Sequence, residues 1–330
     1  MRVKDIIDAV RAGTRRHRQF YGYLAAPENV KTVAYELARL RCEERGVTAD
    51  GRDSPFPEIE LPSLVCSSVD WATPWLPYWA ARCGMKPAMH RKLWEFAYIA
   101  QALRGSGVLR PGSRGLGFGC GKEPLASLFV AEGCDILATD LASAEAVAKG
   151  WSGGEQHAAS LQSVWMPSLC SRAEADARLT FRAVDMNAIP SDLDGAFDFC
   201  WSSCALEHLG SIEQGLAFIE RSARCLRPGG VGVHTTEFNA DPGETIEHGP
   251  TVLFQEPHFA RLATRLAEQG VEMRPILPRA GDPFLDGYVD VPPYPSPSEV
   301  GTTLSVLHLR LLIAAHRSTS IGIVVRAKTT

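Results

Sequence analysis

The sequence predicts an α/β protein built on a doubly wound, mostly parallel sheet. From residue 113 onward, short apolar runs that are typical of buried strands alternate with runs whose apolar residues recur at helical spacing. The glycine-rich turn GFGCGKEP, residues 117–124, joins the first of these strands to the first of these helices. Strands that alternate with helices imply parallel pairing, and a glycine turn at the first crossover is typical of a nucleotide-binding sheet.

The predicted strands and helices follow one another in a regular order. Five strands lie between residues 113 and 240, namely SRGLGFG, CDILATD, LTFRAVD, FDFCWSS and VGVHTTEF. The runs EPLASLFVAEG and SIEQGLAFIERSARCLRPGG are helices that follow the first and the fourth strand. A further helix, EPHFARLATRLAEQG, a strand near EMRPIL and a final strand, SIGIVVRA, complete the pattern. Seven strands are therefore expected.

Residues 1–104 are predicted to form a helical extension or cap before the sheet domain of residues 105–330. Its clearest helical pattern runs from 85 to 104 and ends at Gly105, a residue that often terminates helices. Within the sheet domain, residues 280–317 form an irregular insertion that contains DVPPYPSPSE. Long irregular segments of compact domains are functional lids or disordered segments, and we interpret this one as a lid.

Charge and composition exclude several classes of protein. The net charge is −4, so neither nucleic acid nor an anionic membrane is an expected partner. No stretch approaches the roughly 20 apolar residues that span a bilayer, and MRVKDIIDAVRAG lacks the apolar core of a secretion signal. The nine cysteines include no C-x-x-C pair. They are interpreted as reduced core residues, so no metal site is predicted and a cytoplasmic location is expected. The sequence leaves the oligomeric state open.

The glycine turn predicts which cofactor the sheet binds. Gly117, Gly119 and Gly121 lack a Cβ, so the backbone can approach a ligand closely. A dinucleotide fingerprint would need glycine where Lys122 stands, and a phosphate loop would need Ser or Thr where Glu123 stands. A carboxylate at the N-terminus of the following helix would also repel a pyrophosphate. A cofactor without phosphates is therefore expected, and S-adenosylmethionine is an adenosine-containing cation.

Two aspartates end the second and the third predicted strand. Asp140 can accept hydrogen bonds from both ribose hydroxyls, and Asp185 can accept one from the adenine amino group. Either aspartate alone is equally consistent with capping of a helix, so the prediction depends on the ordered set. The predicted cofactor-binding residues are Gly117, Phe118, Gly119, Gly121, Glu123, Asp140, Leu141, Asp185, Met186 and Ser202.

Residues 113–240 resemble the class I S-adenosylmethionine-dependent methyltransferases. The matching features are the G-x-G-x-G turn, Asp140, VDMNAIP, FDFCWSSCALEHL and LRPGG, in that order. The resemblance implies S-adenosylmethionine as cofactor and a Rossmann-like sheet with an antiparallel C-terminal edge. The segments HRKLWEFAYI, GFGCGKEPL, WSSCALEHLGS, HTTEFN and TSIGIVVRA are similar to those of bacterial methyltransferases associated with sugar and cell-surface glycan biosynthesis.

The sequence departs from the family pattern at two positions. Gly117 replaces the acidic residue that usually ends the first strand, and Glu123 replaces the usual later glycine. One interpretation is that Glu123 takes over part of the missing carboxylate's role toward the cofactor's positive charges. The other is that Glu123 only favours the helix N-terminus.

The predicted catalytic residues are His208, His234 and Glu237. Methyl transfer needs an aligned acceptor and, for a hydroxyl acceptor, a group that removes a proton. His208 follows the fourth strand, whereas His234 and Glu237 lie in the fifth; the two histidines are the predicted general bases because their intrinsic pKa is near neutral. In some class I enzymes E-x-L-E-H resembles a metal-binding set, but Cys204 stands in place of its first glutamate. Bracing of the loop and structural hydrogen bonding are the alternative roles.

Three further segments bear on the site. Trp151, Gln156 and His157 lie in a long connection and are candidates for stacking or hydrogen bonding with a ligand. Trp94 and Glu95 are candidates to cover the cofactor, although core packing is favoured for Trp94. The run Asp290–Tyr294 resembles the D/N-P-P-Y signature of enzymes that methylate amino groups of nucleic acids. That signature belongs after the fourth strand, where SSCALEH stands, so we assign DVPPY to the acceptor lid.

The sequence therefore predicts an S-adenosylmethionine-dependent methyltransferase that acts on a hydroxyl of a sugar or another small polar acceptor. An N-methyltransferase of an amino sugar or metabolite is the close alternative. A protein that binds S-adenosylmethionine without catalysis is an alternative of another class. A nicotinamide-dependent oxidoreductase is disfavoured by Lys122 and Glu123.

Overall fold

A computed structural model of the protein describes residues 29–44, 55–142, 157–292, 294 and 306–329. Its centre is a sheet with the strand order β5-β4-β3-β6-β7-β11-β1, in which β8 and β10 also pair with β11. The strands are β1 (Leu64–Val65), β3 (Arg114–Phe118), β4 (Asp135–Asp140), β5 (Leu179–Ala183), β6 (Phe197–Ser203), β7 (Leu226–Asn239), β8 (Val271–Met273), β10 (Leu311–Ile313) and β11 (His316–Ala327). A separate two-stranded sheet pairs β2 (Met89–His90) with β9 (Leu307–His308).

The predicted architecture of the sheet is confirmed. Strands β5, β4, β3, β6 and β7 are parallel, whereas β11 runs antiparallel to β7 and forms the reversed edge. The described part of the sheet has nine strands rather than seven, because β1 and β10 also pair with β11. These are segments of two and three residues, too short to show the alternation that indicates a strand.

The helices that the sequence predicts are found, one of them with a shifted start, and the described residues hold three more, at 75–82, 161–164 and 172–178. They are α1 (residues 29–44), α2 (Trp75–Arg82), α3 (Arg91–Gly105), α4 (Leu125–Ala131), α5 (Leu161–Val164), α6 (Arg172–Arg178), α7 (Ile212–Ala223) and α8 (Glu256–Glu268). Helix α3 ends at Gly105 as predicted but begins at Arg91 rather than near 85. Met89 and His90 pair with β9, and the His90 side chain caps the helix by accepting a hydrogen bond from the Lys92 backbone N–H at 3.1 Å.

The sheet separates two apolar cores. Phe199 and Trp201 of β6 point to one face, which α2, α3 and α4 cover; we call it the α3 face. Cys200 of the same strand points to the opposite face, which α7 and α8 cover; we call it the α7 face. Successive side chains of a strand alternate between faces, so the position of each residue in β6 and β7 decides which layer it meets.

The N-terminal segment packs directly on the sheet. Strand β1 pairs with β11, and Tyr98 of α3 lies over Gly322 of β11, where an added Cβ would come within 2.0 Å of the Tyr98 ring. The Tyr98 hydroxyl donates to the carbonyl of Pro62 at 2.6 Å. Helix α3 therefore lies across the sheet with its N-terminus at Arg91 near the carboxyl ends of the parallel strands. Within the described residues, no helix is long and apolar enough to cross a membrane.

Candidate active site

The glycine turn lies at the point where the strand order reverses. Strand β3 has β4 on one side and β6 on the other, and the crevice between them opens at the carboxyl ends of the strands. Gly119 and Gly121 have φ values of 57° and 51°, a backbone region that glycine adopts without strain. An added Cβ at Gly119 would come within 2.8 Å of the Ala205 Cβ. The turn thus has a conformation and a spacing that only glycine allows.

Gly117 lacks the acidic side chain of the family pattern because its space is occupied. An ideal Cβ at Gly117 would lie 2.4 Å from the Trp201 ring and 2.3 Å from the Cys120 Sγ. Trp201 itself is buried on the α3 face, where its ring packs edge-on against Phe129. Position 117 is therefore closed to any side chain, so a carboxyl group that contacts the cofactor must come from another position.

Asp140 ties the end of β4 to the glycine turn. One carboxylate oxygen accepts from the backbone N–H of Gly121 at 3.1 Å and of Ala158 at 2.9 Å. The other accepts from the backbone N–H of Leu141 at 2.7 Å. His157 lies beside it, with its Nε2 2.7 Å from the Leu141 carbonyl oxygen. Trp151 and Gln156, the other candidates of this connection, lie outside the described residues.

The remaining predicted cofactor residues divide into two groups. Asp185 follows β5 and accepts from the backbone N–H of Asn187 at 2.8 Å, and Met186 is buried beside Gly119. Phe118 and Ser202, in contrast, have fully buried side chains on the α7 face. Phe118 packs on Phe218 of α7, with 5.2 Å between ring centroids. The side chains of Phe118 and Ser202 therefore point away from the crevice, which corrects their assignment as side-chain contacts of the cofactor.

Glu123 is the residue that brings a carboxyl group to the crevice beside the glycine turn. Its Oε2 is buried and has no hydrogen-bond partner among the described residues, while its Oε1 lies 4.0 Å from the Nζ of Lys92. Burial raises the pKa of Glu123 to about 8, although Lys92 opposes the shift. A buried carboxylate oxygen without a partner is costly, so it indicates a missing donor at this point.

The N-terminal turn of α3 places three charged side chains over the crevice. The Lys92 Nζ lies 3.0 Å from Glu95, and Glu95 is fully buried and accepts from the Ser320 hydroxyl at 2.5 Å. Arg91 forms an ion pair with Glu237 of β7 and lies 3.2 Å from the Ser320 Oγ. Trp94, which also belongs to this turn, is buried in the core and donates to Asp70 at 2.7 Å. Core packing thus accounts for Trp94, whereas Glu95 faces the charged site.

Cys204, Glu207 and Glu237 meet where β6 and β7 end. One ligand atom of each lies within 4.8 Å of the others, a spacing that a metal ion could bridge. The guanidinium of Arg91, however, pairs with Glu237 and lies 3.8 Å from the Cys204 Sγ. Burial raises the pKa of the Cys204 thiol and of the Glu207 carboxyl, which disfavours the ionised ligands that a metal needs. The Arg91 guanidinium thus already supplies a positive charge beside these three residues. The absence of a metal stays a prediction.

Side chains of β7 alternate between the two faces of the sheet, and this alternation removes His234 from the crevice. His234 is fully buried on the α7 face, between the Ser202 Oγ at 2.9 Å and the Ser222 Oγ at 3.2 Å. Burial lowers its pKa to about 3. Glu237 lies on the other face beside Arg91 and accepts from Ser318 at 2.6 Å. The expectation that His234 faces the crevice is therefore corrected, because the odd and even positions of β7 meet different layers.

His208 lies at the rim of the crevice, next to Glu207. Its Nδ1 is 2.7 Å from the Pro250 carbonyl oxygen, which can only accept, so the proton of the neutral ring is on Nδ1. The lone pair is then on Nε2, 3.9 Å from Glu207 Oε1. Glu207 in turn accepts from the Thr236 hydroxyl at 3.0 Å. His208 thus faces a buried carboxyl group.

Comparison with protein families matches residues 91–273 to the family described as methyltransferase domain. This range covers more than half of the chain and contains α3, the glycine turn and the charged cluster. The chain belongs to the methyltransferase domain family. It is an S-adenosylmethionine-dependent methyltransferase, with a Rossmann-like sheet of that family's kind.

Several solved structures of low sequence identity are similar to this chain. A protein described as a sarcosine dimethylglycine methyltransferase from Galdieria sulphuraria is 18% identical, with 72% of this chain and 88% of that chain covered and a TM-score of 0.43. Magnesium protoporphyrin IX methyltransferase from Synechocystis PCC 6803, solved with S-adenosylhomocysteine, is 14% identical, with coverages of 71% and 82% and a TM-score of 0.40. A comparison with curated proteins finds no match.

The residues of the methyltransferase's crevice fit S-adenosylmethionine. The unpartnered Oε2 of Glu123 offers an acceptor for the cofactor's ammonium group. The carboxyl group of Glu123 stands just before α4, at the end of the helix where a pyrophosphate would need a positive environment.

Sequence reasoning missed four polar residues of this site: Arg91, Lys92, Ser318 and Ser320. A signal for the first two is present in the sequence. RKLWE places Arg91, Lys92 and Glu95 at the start of a helix whose residues 96–100 are all apolar, and charged side chains are rarely buried unless they are paired. The two serines carry no such signal, because their role depends on the pairing of β11 with β7.

Proposed function

We propose that this methyltransferase transfers a methyl group to a hydroxyl of a sugar or another small polar acceptor. One observation carries the proposal. Beyond the glycine turn, the crevice ends at the buried Arg91–Glu237 ion pair, which Ser318, Ser320 and Cys204 surround. These five side chains offer hydrogen-bond donors and acceptors to a ligand whose hydroxyls both donate and accept.

The cofactor's polar groups have acceptors and donors along the crevice. We assign its ammonium to Glu123 and its carboxylate to Lys92, because these two side chains face each other across the turn. Asp140 is assigned to the ribose and Asp185 to the adenine, with Gly117, Gly119, Gly121, Leu141 and Met186 lining the path between them. Both aspartates already accept backbone hydrogen bonds, which hold their carboxylates in place at the strand ends.

The residues at the end of the crevice orient the acceptor. Bound S-adenosylmethionine supplies a methyl group on a positively charged sulfur, which is reactive without further activation. Glu237 accepts a hydrogen bond from a neighbouring hydroxyl of the acceptor, and the ion pair with Arg91 holds the Glu237 carboxylate in place. His208 and Glu207 line the crevice on the β6 side. Alignment of this kind accounts for much of the rate enhancement of a displacement reaction.

An amino group is the alternative acceptor, and Glu207 with Glu237 supports it. Two carboxyl groups close together favour a ligand that donates several hydrogen bonds, as an amine does. The product distinguishes the two functions, since an N-methyl and an O-methyl group differ by fragmentation in mass spectrometry.

The test is a turnover assay with S-adenosylmethionine and a panel of nucleoside diphosphate hexoses, amino hexoses and free hexoses. We expect an O-methylated product from at least one sugar, with Glu237→Gln lowering kcat by at least about tenfold through loss of an oriented charge. Glu247→Gln, the same change at an exposed glutamate, is the matched control and should leave turnover unchanged. Products methylated only on nitrogen would support the alternative. Binding of S-adenosylhomocysteine with no turnover across the panel would contradict the proposal.

A further inference from the structure

Asp290, at the start of the DVPPY run in the lid, is a fully buried carboxylate with four donors around it. The Lys31 Nζ lies 3.1 Å from Oδ1, and the Val291 backbone N–H donates to the same oxygen at 3.0 Å. The Tyr35 hydroxyl donates to Oδ2 at 3.1 Å, and the Nδ1 of His308 lies 2.7 Å from Oδ2. Both carboxylate oxygens of Asp290 therefore accept from surrounding donors.

This environment determines which nitrogen of His308 carries the proton. An ionised carboxylate only accepts, so Nδ1 is protonated and the lone pair of the neutral ring is on Nε2. Packing holds the ring in this orientation. His308 stacks on His90 with 4.5 Å between ring centroids, because β2 and β9 pair these two residues, and Tyr294 packs edge-on from the lid. No described residue forms a hydrogen bond with Nε2.

The Asp290–His308 pair borders the end of the crevice. His90 directly precedes Arg91, whose guanidinium reaches Glu237. The charges of both Arg91 and Glu237 act on the His308 imidazole, so the ring lies within electrostatic range of the ion pair that we assign to the acceptor. His308 thus presents an oriented imidazole beside the start of α3, next to the residue that precedes Arg91.

We propose that His308 is the general base of methyl transfer and that Asp290 is its positioning residue. This inference rests on the proposed function, since it requires a hydroxyl acceptor. The hydroxyl proton moves to Nε2 of His308 while the hydroxyl oxygen forms a bond to the methyl carbon. The carbon–sulfur bond breaks, and its electron pair remains on sulfur, which becomes neutral. The imidazolium then releases its proton to water.

His208, the base predicted from the sequence, is less suited to this role. Its Nε2 faces the carboxyl group of Glu207, whose pKa is raised by burial. The residue that orients its Nδ1 is a neutral carbonyl, which stabilises an imidazolium less than the carboxylate of Asp290 does. Of the two histidines, His308 is the one whose Nδ1 faces a carboxylate while its Nε2 is left to accept the reacting proton.

The pH dependence of His308 follows from the groups that face it. Asp290 and Tyr294 face it from the lid, His90 and Arg91 from the start of α3, and Glu237 from β7; Lys31 and Tyr35 of α1 reach Asp290. Burial lowers the pKa of His308, although the hydrogen bond with Asp290 opposes the shift. The imidazole is therefore neutral at pH 7, and turnover should decline only as the pH falls below about 6.5, the pKa of free histidine.

The first part of the test needs no acceptor. Nitrogen-15 NMR of the enzyme saturated with S-adenosylhomocysteine, at pH 7.5, should show His308 with Nδ1 protonated and Nε2 not. His308→Gln assigns the signals, and Asp290→Asn should shift the proton toward Nε2. A proton on Nε2 in the unmodified enzyme would overturn the proposal, because that nitrogen could then accept nothing.

The second part uses the sugar that the panel identifies. His308→Gln should lower kcat by about 10²- to 10⁴-fold and remove the acidic limb of the pH profile, while the affinity for S-adenosylhomocysteine stays within about twofold. His248→Gln, at an exposed histidine, is the matched control. Retention of kcat and of the acidic limb would overturn the proposal. If no sugar is methylated, the proposed function fails, and the NMR result alone decides whether His308 has the orientation of a base.

Discussion

The two departures from the family pattern, at Gly117 and Glu123, are connected through the space that Trp201 occupies. Trp201 occupies the volume in which a side chain at position 117 would lie, so only glycine fits there. Glu123, near the end of the glycine turn, supplies a carboxyl group instead, and its Oε2 is buried without a hydrogen-bond partner among the described residues. The interpretation that Glu123 serves the cofactor gains support over helix capping, because Oε2 accepts no hydrogen bond from a described backbone N–H.

Glu123→Gln should have opposite effects on binding and on stability. The affinity for S-adenosylhomocysteine should fall by about 10- to 100-fold, because a charge-assisted hydrogen bond is lost. The ligand-free protein should become more stable above neutral pH. The raised pKa of about 8 means that the folded state holds a proton that the unfolded chain releases near pH 4.5. Stability therefore falls as the pH rises between these values, and the glutamine removes that loss.

Calorimetric titration at pH 6.5 and 8.5 together with thermal unfolding at the same two pH values tests this prediction. Glu132→Gln, a glutamate in an ion pair at the far end of α4, is the control for binding. Unchanged affinity in Glu123→Gln would mean that the carboxyl group does not contact the cofactor.

His234 should act on stability rather than on catalysis. Its pKa of about 3 shows that the folded state requires the neutral ring, whereas the unfolded chain takes up a proton near pH 6.5. Stability is therefore lost as the pH falls from 6.5 toward 3. His234→Gln should cost about 1–3 kcal/mol at pH 7 through lost packing and hydrogen bonds, and it should flatten this acid dependence.

Urea unfolding at pH 7 and pH 5 measures both effects, and the affinity for S-adenosylhomocysteine should not change. His258 is unsuitable as a control because its Nδ1 accepts from the Gln255 backbone N–H, so exposed His248→Gln is used. A loss of turnover without a loss of stability would return His234 to the catalytic residues.

At the scale of elements, α3 has two functions. Its apolar residues from Leu93 to Leu103 are buried against the sheet, while its first turn carries Arg91, Lys92 and Glu95 into the crevice. A helix terminus is the one place where a packed helix can present charges without interrupting its apolar contacts. The same turn connects to β2, whose His90 stacks on His308 of the lid. Helix α3 therefore links the residues that we propose for the cofactor and for the acceptor to His308.

Removal of one partner of the Arg91–Glu237 ion pair should lower the free energy of unfolding strongly. Removal of both partners should lower it by less than the sum of the two single losses. Arg91→Met leaves Glu237 buried without its cation, and we expect a loss of about 3–5 kcal/mol. The double variant Arg91→Met, Glu237→Gln should lose clearly less than the sum of the two single changes, because no uncompensated charge remains.

A double-mutant cycle by urea unfolding tests this coupling. Arg172 and Asp176, 2.8 Å apart on the exposed face of α6, give the matched control cycle, which should yield less than about 0.5 kcal/mol. Additive effects at Arg91 and Glu237 would contradict the ion pair.

At the scale of the molecule, the sheet keeps its apolar cores and its polar site apart. The two faces of the sheet carry the buried apolar cores, whereas the described polar residues of the site lie where the parallel strands end. The cluster of Cys204, Glu207 and Glu237 belongs to this edge, where Arg91 supplies a positive charge. Charge balance at the site therefore comes from the protein's own side chains.

Chelation should accordingly leave the enzyme unchanged. Prolonged dialysis against EDTA should shift neither the Tm nor the affinity for S-adenosylhomocysteine, because the Arg91 guanidinium pairs with the Glu237 carboxylate. Metal analysis of the dialysed and undialysed protein completes the measurement. A loss of turnover that Mg²⁺, Mn²⁺ or Zn²⁺ restores would contradict the prediction and assign a metal to Cys204, Glu207 and Glu237.

The amino-acid sequence by itself determined the class of the sheet, the glycine turn and the two strand-end aspartates. These features depend on local periodicity and on the conformations that glycine allows, which neighbouring residues in the chain specify. The sequence also determined that Thr235 and Glu237 share one face of β7 and that His234 and Thr236 share the other.

Only the tertiary structure decided which layer each face meets. A period of two tells which side chains lie together but not that α7 covers His234 while α3 covers Glu237. The same limit applies to residues far apart in the chain. Arg91 meets Glu237 because α3 packs on β7, and Asp290 meets His308 because Asp290 pairs with Leu311, three residues beyond His308. Such contacts are long-range, and no local pattern carries them.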